Sequence, residues 1–186
     1  MRDSGDRQEL INIIKRRSFS SGVDVKLASG RASSFYFNMK PTVLDPAGGY
    51  LVARAILDAL AEIEADAIGG LEMGAVPIAA AVATESHAVG RPLPAFFVRK
   101  AAKDHGTQSL IEGLAPGETL AGKRIVIVED VTTTGGSALK AAEAVKEVGG
   151  KVVHVITIVD REEGAVEAFK AAGVGFTALL TLGDFK

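Results

Sequence analysis

Two runs of consecutive apolar residues constrain the fold of this chain most strongly. Residues 125–128 read Ile-Val-Ile-Val, and residues 152–156 read Val-Val-His-Val-Ile. Strands that are apolar at nearly every position are covered on both faces, which is typical of parallel sheets enclosed by helices. Helical patterns alternate with strand patterns around both runs. The sequence therefore predicts an α/β fold with a central, mainly parallel sheet flanked by helices.

The predicted elements follow one another with a single interruption. We expect helices at residues 8–19, 47–63, 77–86, 137–148 and 164–172, and sheet strands at residues 67–71, 95–99, 124–129, 152–159 and 176–180. Residues 23–38 carry strand patterns on both sides of Ser29-Gly30, which predicts a hairpin. Residues 100–122 form a polar, glycine-containing loop that is longer than most connections. Such a loop is usually functional, and a tolerated surface excursion is the plainer alternative.

Composition narrows the class of protein. A length of 186 residues with 47% hydrophobic content fits one globular domain spanning residues 1–186. The 21 basic and 23 acidic residues give a net charge of -2, which argues against a general nucleic-acid binder. Cysteine is absent, which excludes thiol chemistry and suits a reducing compartment. With neither a signal-peptide pattern nor an apolar segment long enough for a membrane, we expect a soluble, cytoplasmic protein.

The segment RIVIVEDVTTTGGS, residues 124–137, carries the strongest chemical signal. Its apolar strand delivers Glu129 and Asp130 to the carboxyl end of the sheet, where ligands of open α/β folds bind. The turn that follows opens a helix, whose backbone N–H groups attract phosphate, and Gly135 and Gly136 allow close approach. The two carboxylates suit ribose hydroxyls and positive charge at an anomeric carbon. An isolated acidic pair, by contrast, more often ends a strand and caps a helix.

A basic cluster lies at the start of the long loop. Arg99, Lys100, Lys103 and His105 follow directly after a predicted strand. Cations on a loop could close over a pyrophosphate leaving group, exclude water from the reactive sugar and stabilise charge on the departing oxygen. The alternative is a solvated basic face.

Two other segments carry weaker signals. Residues 69–81 read GGLEMGAVPIAAA, a glycine-rich turn whose N–H groups suit anionic oxygens, although a plain strand-to-helix turn explains it equally well. Arg161 follows a buried strand, where its guanidinium could pair with a carboxylate in a bidentate manner. An ion pair with Glu162 or Glu163 is the alternative.

The pattern VIVEDVTTTGGSA, residues 126–138, resembles the signature of type I phosphoribosyltransferases, which bind phosphoribosyl pyrophosphate. The resemblance implies that fold, with a small hood of one helix and one hairpin (residues 1–45) over a core (residues 46–186). In that family the turn holds the ribose 5-phosphate and the acidic pair holds the ribose hydroxyls. Thr132 departs from the aliphatic residue that many members carry. The implied ligands of phosphoribosyl pyrophosphate here are Glu129, Asp130, Val131, Thr132, Thr133, Thr134, Gly135, Gly136 and Ser137.

The spacing RKxxKxHG in the long loop resembles the catalytic loop of orotate phosphoribosyltransferases. That resemblance implies that Arg99, Lys100, Lys103 and His105 contact the pyrophosphate, and that Lys100, Lys103 and His105 act in catalysis together with Asp130. In those enzymes the loop reaches into the active site of a neighbouring subunit. A homodimer with shared sites is therefore implied, with Lys100 assigned across the interface.

Two further segments resemble parts of the same family. Residues 69–81 resemble its pyrophosphate loop, which implies that Met73 and Gly74 lie near the diphosphate. Residues 26–38 resemble the hairpin that covers the base, which implies contacts from Phe35 and Tyr36, with a hydrophobic-core role as the alternative.

In the base site the chain departs from the family pattern at one position. Some members carry a lysine where this chain has Ala28, and either Lys26 or Lys40 could supply the charge instead. Arg161 matches an arginine that recognises orotate together with the turn threonine, here Thr133.

The resemblance implies transfer of a phosphoribosyl group to orotate, giving orotidine 5'-monophosphate and pyrophosphate on the route to UMP. Mg²⁺ is the implied cofactor, held mainly by substrate oxygens and water rather than by a cage of protein ligands. One alternative is a phosphoribosyltransferase for a purine or another pyrimidine, which the loop cluster and Arg161 disfavour. The other is a regulatory protein that senses phosphoribosyl pyrophosphate and binds DNA, which the slightly acidic charge disfavours.

Overall fold

The helices and strands are those of a computed structural model that describes residues 4–26, 32–101 and 110–186. The helices are α1 (Ser4–Arg17), α2 (Lys40–Val43), α3 (Pro46–Ala59), α4 (Ala75–Ala88), α5 (Gly136–Glu147) and α6 (Ala165–Ala171), with a 3-10 helix at Leu182–Phe185. The strands are β1 (Phe19–Lys26), β2 (Ala32–Phe37), β3 (Ala67–Gly69), β4 (Phe97–Val98), β5 (Ile111–Glu112), β6 (Arg124–Thr132), β7 (Lys151–Asp160) and β8 (Gly175–Thr181).

The central sheet has the strand order β3-β6-β7-β8, and every neighbouring pair in it is parallel. Side chains alternate across β6: Ile125 and Ile127 join one hydrophobic cluster, whereas Val126 and Val128 join the other. Both clusters are buried. Because both faces of the sheet are covered, the strand is apolar at each of these positions. The predicted α/β fold with a central parallel sheet is confirmed.

Helices cover the sheet on both faces. The first cluster packs α1, α3 and α4 against the sheet, through residues such as Ile14, Ile56 and Ile78. The second packs α5 and α6 against the opposite face, through residues such as Val145 and Phe169. Because the strands are parallel, their carboxyl ends meet at one edge between these layers.

The predicted hairpin is present as the antiparallel pair β1 and β2. Phe19, expected at the end of the first helix, instead begins β1. Its ring centroid lies 6.0 Å from that of Phe35, 5.0 Å from that of Phe37 and 5.5 Å from that of Phe185. Packing within this aromatic group favours the strand, in which Phe19 lies opposite Phe37 of β2. The division into hood and core stays a prediction.

The long connection contains regular structure that its polar composition did not indicate. Ile111 and Glu112 form β5, which pairs antiparallel with β4. Beyond β3, parallel bridges join Ile68 to Ala95 and Leu71 to Val98. These bridges place the start of the loop beside the carboxyl end of the sheet. Among the described residues, no helix is both long and apolar enough to span a membrane.

Candidate active site

The turn between β6 and α5 forms a cavity of about 250 Å³ at the carboxyl edge of the sheet. Gly135 has a left-handed backbone with φ 84°, and a Cβ atom there would lie 2.9 Å from the Phe169 ring, so both backbone and space require glycine. The backbone N–H groups at the start of α5 therefore have open access to an anion. The residues lining the cavity are Glu129, Val131, Thr132, Thr133, Thr134, Gly135, Gly136, Ser137 and Lys140.

Glu129 and Asp130 form a coupled acidic pair beside this cavity. Glu129 is only 8% exposed. Burial raises the pKa of Glu129 to about 8, the negative charge of Asp130 and a hydrogen bond between the two side chains add to the rise, and the charge of Lys100 opposes it. Asp130 Oδ1 accepts a hydrogen bond from the backbone N–H of Val131 at 2.9 Å. At neutral pH the Glu129 carboxyl group therefore binds a proton far more readily than an exposed glutamate would.

The loop at residues 72–74 lies against this pair. A Cβ atom on Gly74 would lie only 2.7 Å from Asp130 Oδ1, so the backbone of Gly74 touches the carboxylate. Met73 beside it is exposed, and the Glu72–Met73 peptide bond is cis. The Glu72 carboxylate accepts a hydrogen bond from the backbone N–H of Lys100 at 2.9 Å. The predicted pyrophosphate loop thus connects the acidic pair to the start of the basic loop.

The basic loop begins next to the acidic pair of its own chain. Arg99 Nη1 lies 3.8 Å from Glu112 Oε1, and Arg99 Nε donates a hydrogen bond to the Ala101 carbonyl at 3.2 Å. Lys100 is exposed, and its charge acts on Glu129 within the same chain. Its assignment across a subunit interface stays a prediction. Lys103 and His105 lie outside the described residues.

Arg161 joins the carboxyl end of β7 to the hairpin. Its side chain is buried, its Nε donates to Glu163 Oε1 at 2.9 Å, and its Nη1 donates to the Phe35 carbonyl at 3.0 Å. Its backbone N–H donates to the Thr132 carbonyl at 2.9 Å. The structure thus brings together Arg161 and Phe35, two residues predicted to bind the base, and it forms the alternative ion pair with Glu163 as well.

The remaining predicted base ligands differ in exposure. Tyr36, next to Phe35, is exposed, and Thr133 is half-buried in the turn. Lys40 is exposed at the start of α2.

Sequence reasoning missed two residues of this site. Lys140 lines the turn cavity, and Glu72 holds the start of the basic loop. Lys140 could have been found from its spacing, since it lies one helical turn after Gly136. Glu72 gave no such signal, because its contact with Lys100 depends on how two loops meet.

Comparison with known proteins identifies the family. The sequence-family model of the phosphoribosyl transferase domain matches residues 42–179. Orotate phosphoribosyltransferases of Rhodopseudomonas palustris (strain BisB18) and Bradyrhizobium diazoefficiens are 57% and 58% identical over 185 residues, covering the whole chain and 98% of each relative. The chain belongs to the orotate phosphoribosyltransferase family. This finding confirms the resemblance drawn from the two motifs.

Solved structures of this family share the fold. The orotate phosphoribosyltransferase of Mycobacterium tuberculosis in complex with Fe(III) dicitrate is 43% identical, and the match covers 96% of this chain and 98% of that one with a TM-score of 0.82. The same enzyme in complex with 5-phospho-α-D-ribosyl 1-diphosphate is 40% identical, with the same coverage and a TM-score of 0.78. The type I phosphoribosyltransferase fold is thereby confirmed.

Proposed function

We propose that this chain transfers the phosphoribosyl group of 5-phosphoribosyl 1-diphosphate to a ring nitrogen of orotate, giving orotidine 5'-monophosphate and pyrophosphate. One observation carries the proposal: the phosphate turn, the buried acidic pair and the loop at Gly74 meet at a single sheet edge. These are the three groups that a sugar with a phosphate at one end and a diphosphate at the other requires. The names of the relatives and the bound sugar diphosphate in the Mycobacterium enzyme support the same reaction.

The sugar phosphate end of the substrate fits the turn. Backbone N–H groups at the start of α5 and the hydroxyls of Thr133, Thr134 and Ser137 would donate to the 5-phosphate. The ribose hydroxyls would then lie against Glu129 and Asp130. As the bond to pyrophosphate lengthens, positive charge develops on the sugar, and these carboxyl groups stabilise it because they are fixed in place beforehand.

The pyrophosphate end fits the other two segments. Backbone groups at Met73 and Gly74 would contact the diphosphate, and Arg99, Lys100, Lys103 and His105 would supply positive charge for the departing oxygen. The ring nitrogen of orotate attacks the anomeric carbon as this group leaves, and no covalent intermediate with the protein is needed. Catalysis then depends on holding the two reactants in line.

Orotate would lie between the hairpin and the end of β7. Its carboxylate would face the guanidinium of Arg161, with Thr133 beside it and Phe35 and Tyr36 covering the ring. The hydrogen bond from Arg161 to the Phe35 carbonyl, at 3.0 Å, supports this placement because it fixes both residues at one point.

Mg²⁺ fits this donor set as a substrate-bound ion. The described residues contain no group of three or more carboxylate or imidazole side chains that could hold a metal. Oxygen donors are nevertheless what Mg²⁺ prefers, and it commonly keeps several waters beside substrate phosphates. Glu129 and Asp130 would hold it indirectly, through the ribose hydroxyls. When bound, the ion neutralises charge on the diphosphate and makes it a better leaving group.

A cytoplasmic homodimer with shared active sites is part of the proposal. Exposed large apolar side chains at Leu44, Tyr50 and Met73 support an interface between subunits. The absence of cysteine supports a reducing compartment.

A spectrophotometric assay of orotate consumption tests the reaction directly. The chain should consume orotate only when phosphoribosyl pyrophosphate and Mg²⁺ are both present, and Asp130→Asn should lower turnover at least about a hundredfold. Parallel reactions with adenine, hypoxanthine and uracil test the choice of base. Turnover of a purine without turnover of orotate would overturn the proposed substrate.

A further inference from the structure

Lys140 is a cation near the amino terminus of α5. The helix begins at Gly136 and has no acidic residue in its first turn, and Lys140 follows one turn later. Within the described residues Lys140 forms no ion pair. An anion bound at the start of the helix would give its ammonium group a partner.

The geometry of α5 gives Lys140 a path to that anion. Side chains of a helix lean towards its amino terminus, so Lys140 extends over Ser137 and Gly136. Gly136 leaves this path open, since the nearest atom to a Cβ built there is Thr134 Oγ1 at 3.9 Å. Lys140 accordingly lines the cavity of the phosphate turn.

Thr132 gives independent evidence that this cavity takes a polar ligand. Thr132 is 2% exposed and lines the same cavity, and its hydroxyl has no hydrogen-bond partner among the described residues. Buried hydroxyls without a partner are rare, because each costs the free energy of its lost hydration. An oxygen-rich ligand in the turn would supply the missing partner.

The other side of Lys140 carries charges of both signs. A second cavity of about 530 Å³ shares Lys140 and Ser137 with the first, and Arg99, Lys100, Glu143 and Glu147 also line it. Because two cations and two carboxylates line it together, they do not set a net charge that would hold the ammonium group there. Neither Glu143 nor Glu147 lines the phosphate turn.

We propose that Lys140 is a binding residue for the 5-phosphate of the sugar substrate, and that it adds the one side-chain cation to a turn otherwise built from N–H groups and hydroxyls. This inference rests on the proposed function. Because the 5-phosphate does not change during the reaction, Lys140 binds ground state and transition state alike. Its loss should therefore raise the KM for phosphoribosyl pyrophosphate and leave kcat nearly unchanged.

Isothermal titration calorimetry of the full chain with two partial ligands tests this role. Ribose 5-phosphate carries the 5-phosphate alone, and pyrophosphate carries the other end of the substrate. Lys140→Met should raise the Kd for ribose 5-phosphate about tenfold and change the Kd for pyrophosphate by less than about twofold. Lys146→Met, in the last turn of the same helix, is the matched control and should change neither.

Three outcomes separate the possible errors. If Lys140→Met binds ribose 5-phosphate as tightly as the wild type, the role of Lys140 is wrong and the proposed function stands. If it loses both ligands and melts at a lower temperature, the residue is structural and the inference is wrong. If the wild type binds neither ligand nor phosphoribosyl pyrophosphate, the proposed function and this inference fall together. Lys140→Arg, which keeps the charge, should restore binding.

Discussion

The ionisation of Glu129 depends strongly on its surroundings. Its pKa of about 8 in the folded chain exceeds the ordinary value of 4.5, chiefly because of burial. Between these two values the folded chain holds a proton that the unfolded chain releases. The free energy of unfolding should therefore fall as the pH rises through this window, with Glu129 contributing at most about 1.4 kcal/mol per pH unit. Urea unfolding at a series of pH values from 5 to 9 measures this slope.

Glu129→Gln isolates that contribution, because glutamine has nearly the same shape and does not titrate. Other groups, such as the histidines, also titrate in this range, so the informative quantity is the difference between the two profiles. The variant should lose part of the decline in stability between the ordinary pKa of 4.5 and the folded value of about 8. Identical slopes for the two proteins would show that Glu129 is not protonated in the folded chain.

Gly74 tests how closely the acidic pair must be positioned. Its backbone is already helical, with φ −58° and ψ −43°, so alanine adds no backbone strain. The new Cβ would lie 2.7 to 2.9 Å from the Asp130 carboxyl group and would have to displace it. Displacement of this size should lower kcat/KM about 10- to 100-fold with little change in melting temperature. Steady-state kinetics measure the effect, and unchanged kcat/KM in Gly74→Ala would mean that this contact is dispensable.

At the scale of elements, one cation joins the hairpin to the core sheet. Arg161 lies at the end of β7, and its guanidinium donates to the Phe35 carbonyl on β2. Arg161→Met should raise the KM for orotate at least about tenfold and leave the KM for phosphoribosyl pyrophosphate within about twofold. It should also speed hydrogen exchange in β2, because the hairpin loses its tie to the sheet. Initial rates with each substrate varied and exchange followed by mass spectrometry measure the two effects.

Glu163 provides the control for this variant. Removing Arg161 breaks its ion pair with Glu163, which by itself destabilises the chain. The double variant Arg161→Met with Glu163→Gln removes both charges and should recover stability. The KM for orotate should stay high in the double variant. Recovery of that KM together with stability would assign Arg161 a purely structural role.

Local patterns predicted the elements that carry the chemistry. The β-branched runs of β6 and β7 identify buried strands, and the acidic pair with its glycine turn identifies the strand end that binds a ligand. These features depend on neighbouring residues only. For the same reason the start of α5 and the phosphate turn were placed correctly to within one residue.

Features that depend on distant partners could not be predicted in the same way. Ile111 and Glu112 are too few to show strand periodicity, and they form β5 only because β4 lies alongside. Phe35 and Arg161 are separated by 126 positions in the chain, and no local pattern indicates their hydrogen bond. The contact between Gly74 and Asp130 likewise follows from the packing of β3 beside β6.

At the scale of the whole molecule, the open question is whether each active site is built from one chain or from two. The described part of the basic loop lies near the acidic pair of its own chain, because Glu72 binds the backbone of Lys100 and the neighbouring Gly74 touches Asp130. The family resemblance implies instead that the loop crosses to a partner. Two variants that each inactivate one component, Lys103→Ala in the loop and Asp130→Asn at the strand end, distinguish these arrangements.

Equal amounts of the two variants, unfolded and refolded together, would form mixed dimers in about half of the molecules. If the loop crosses to the partner, each mixed dimer has one site with both components intact and one with neither, so roughly a quarter of wild-type activity returns. If the loop serves its own chain, every site in the mixed dimer lacks one component and no activity returns. The crossing arrangement is the one we expect.

Mixing wild-type chains with the double variant, which carries both substitutions, reverses the expectation. A crossing loop then leaves every mixed dimer inactive, because each site receives one defective component, so only wild-type dimers contribute and about a quarter of full activity remains. A loop that serves its own chain leaves one working site in each mixed dimer, and about half remains. The two mixtures must agree. If each mixture has about a quarter of wild-type activity, the loops are exchanged between subunits. If the mixture of single variants has no activity and the mixture with wild-type chains has about half, each chain completes its own site.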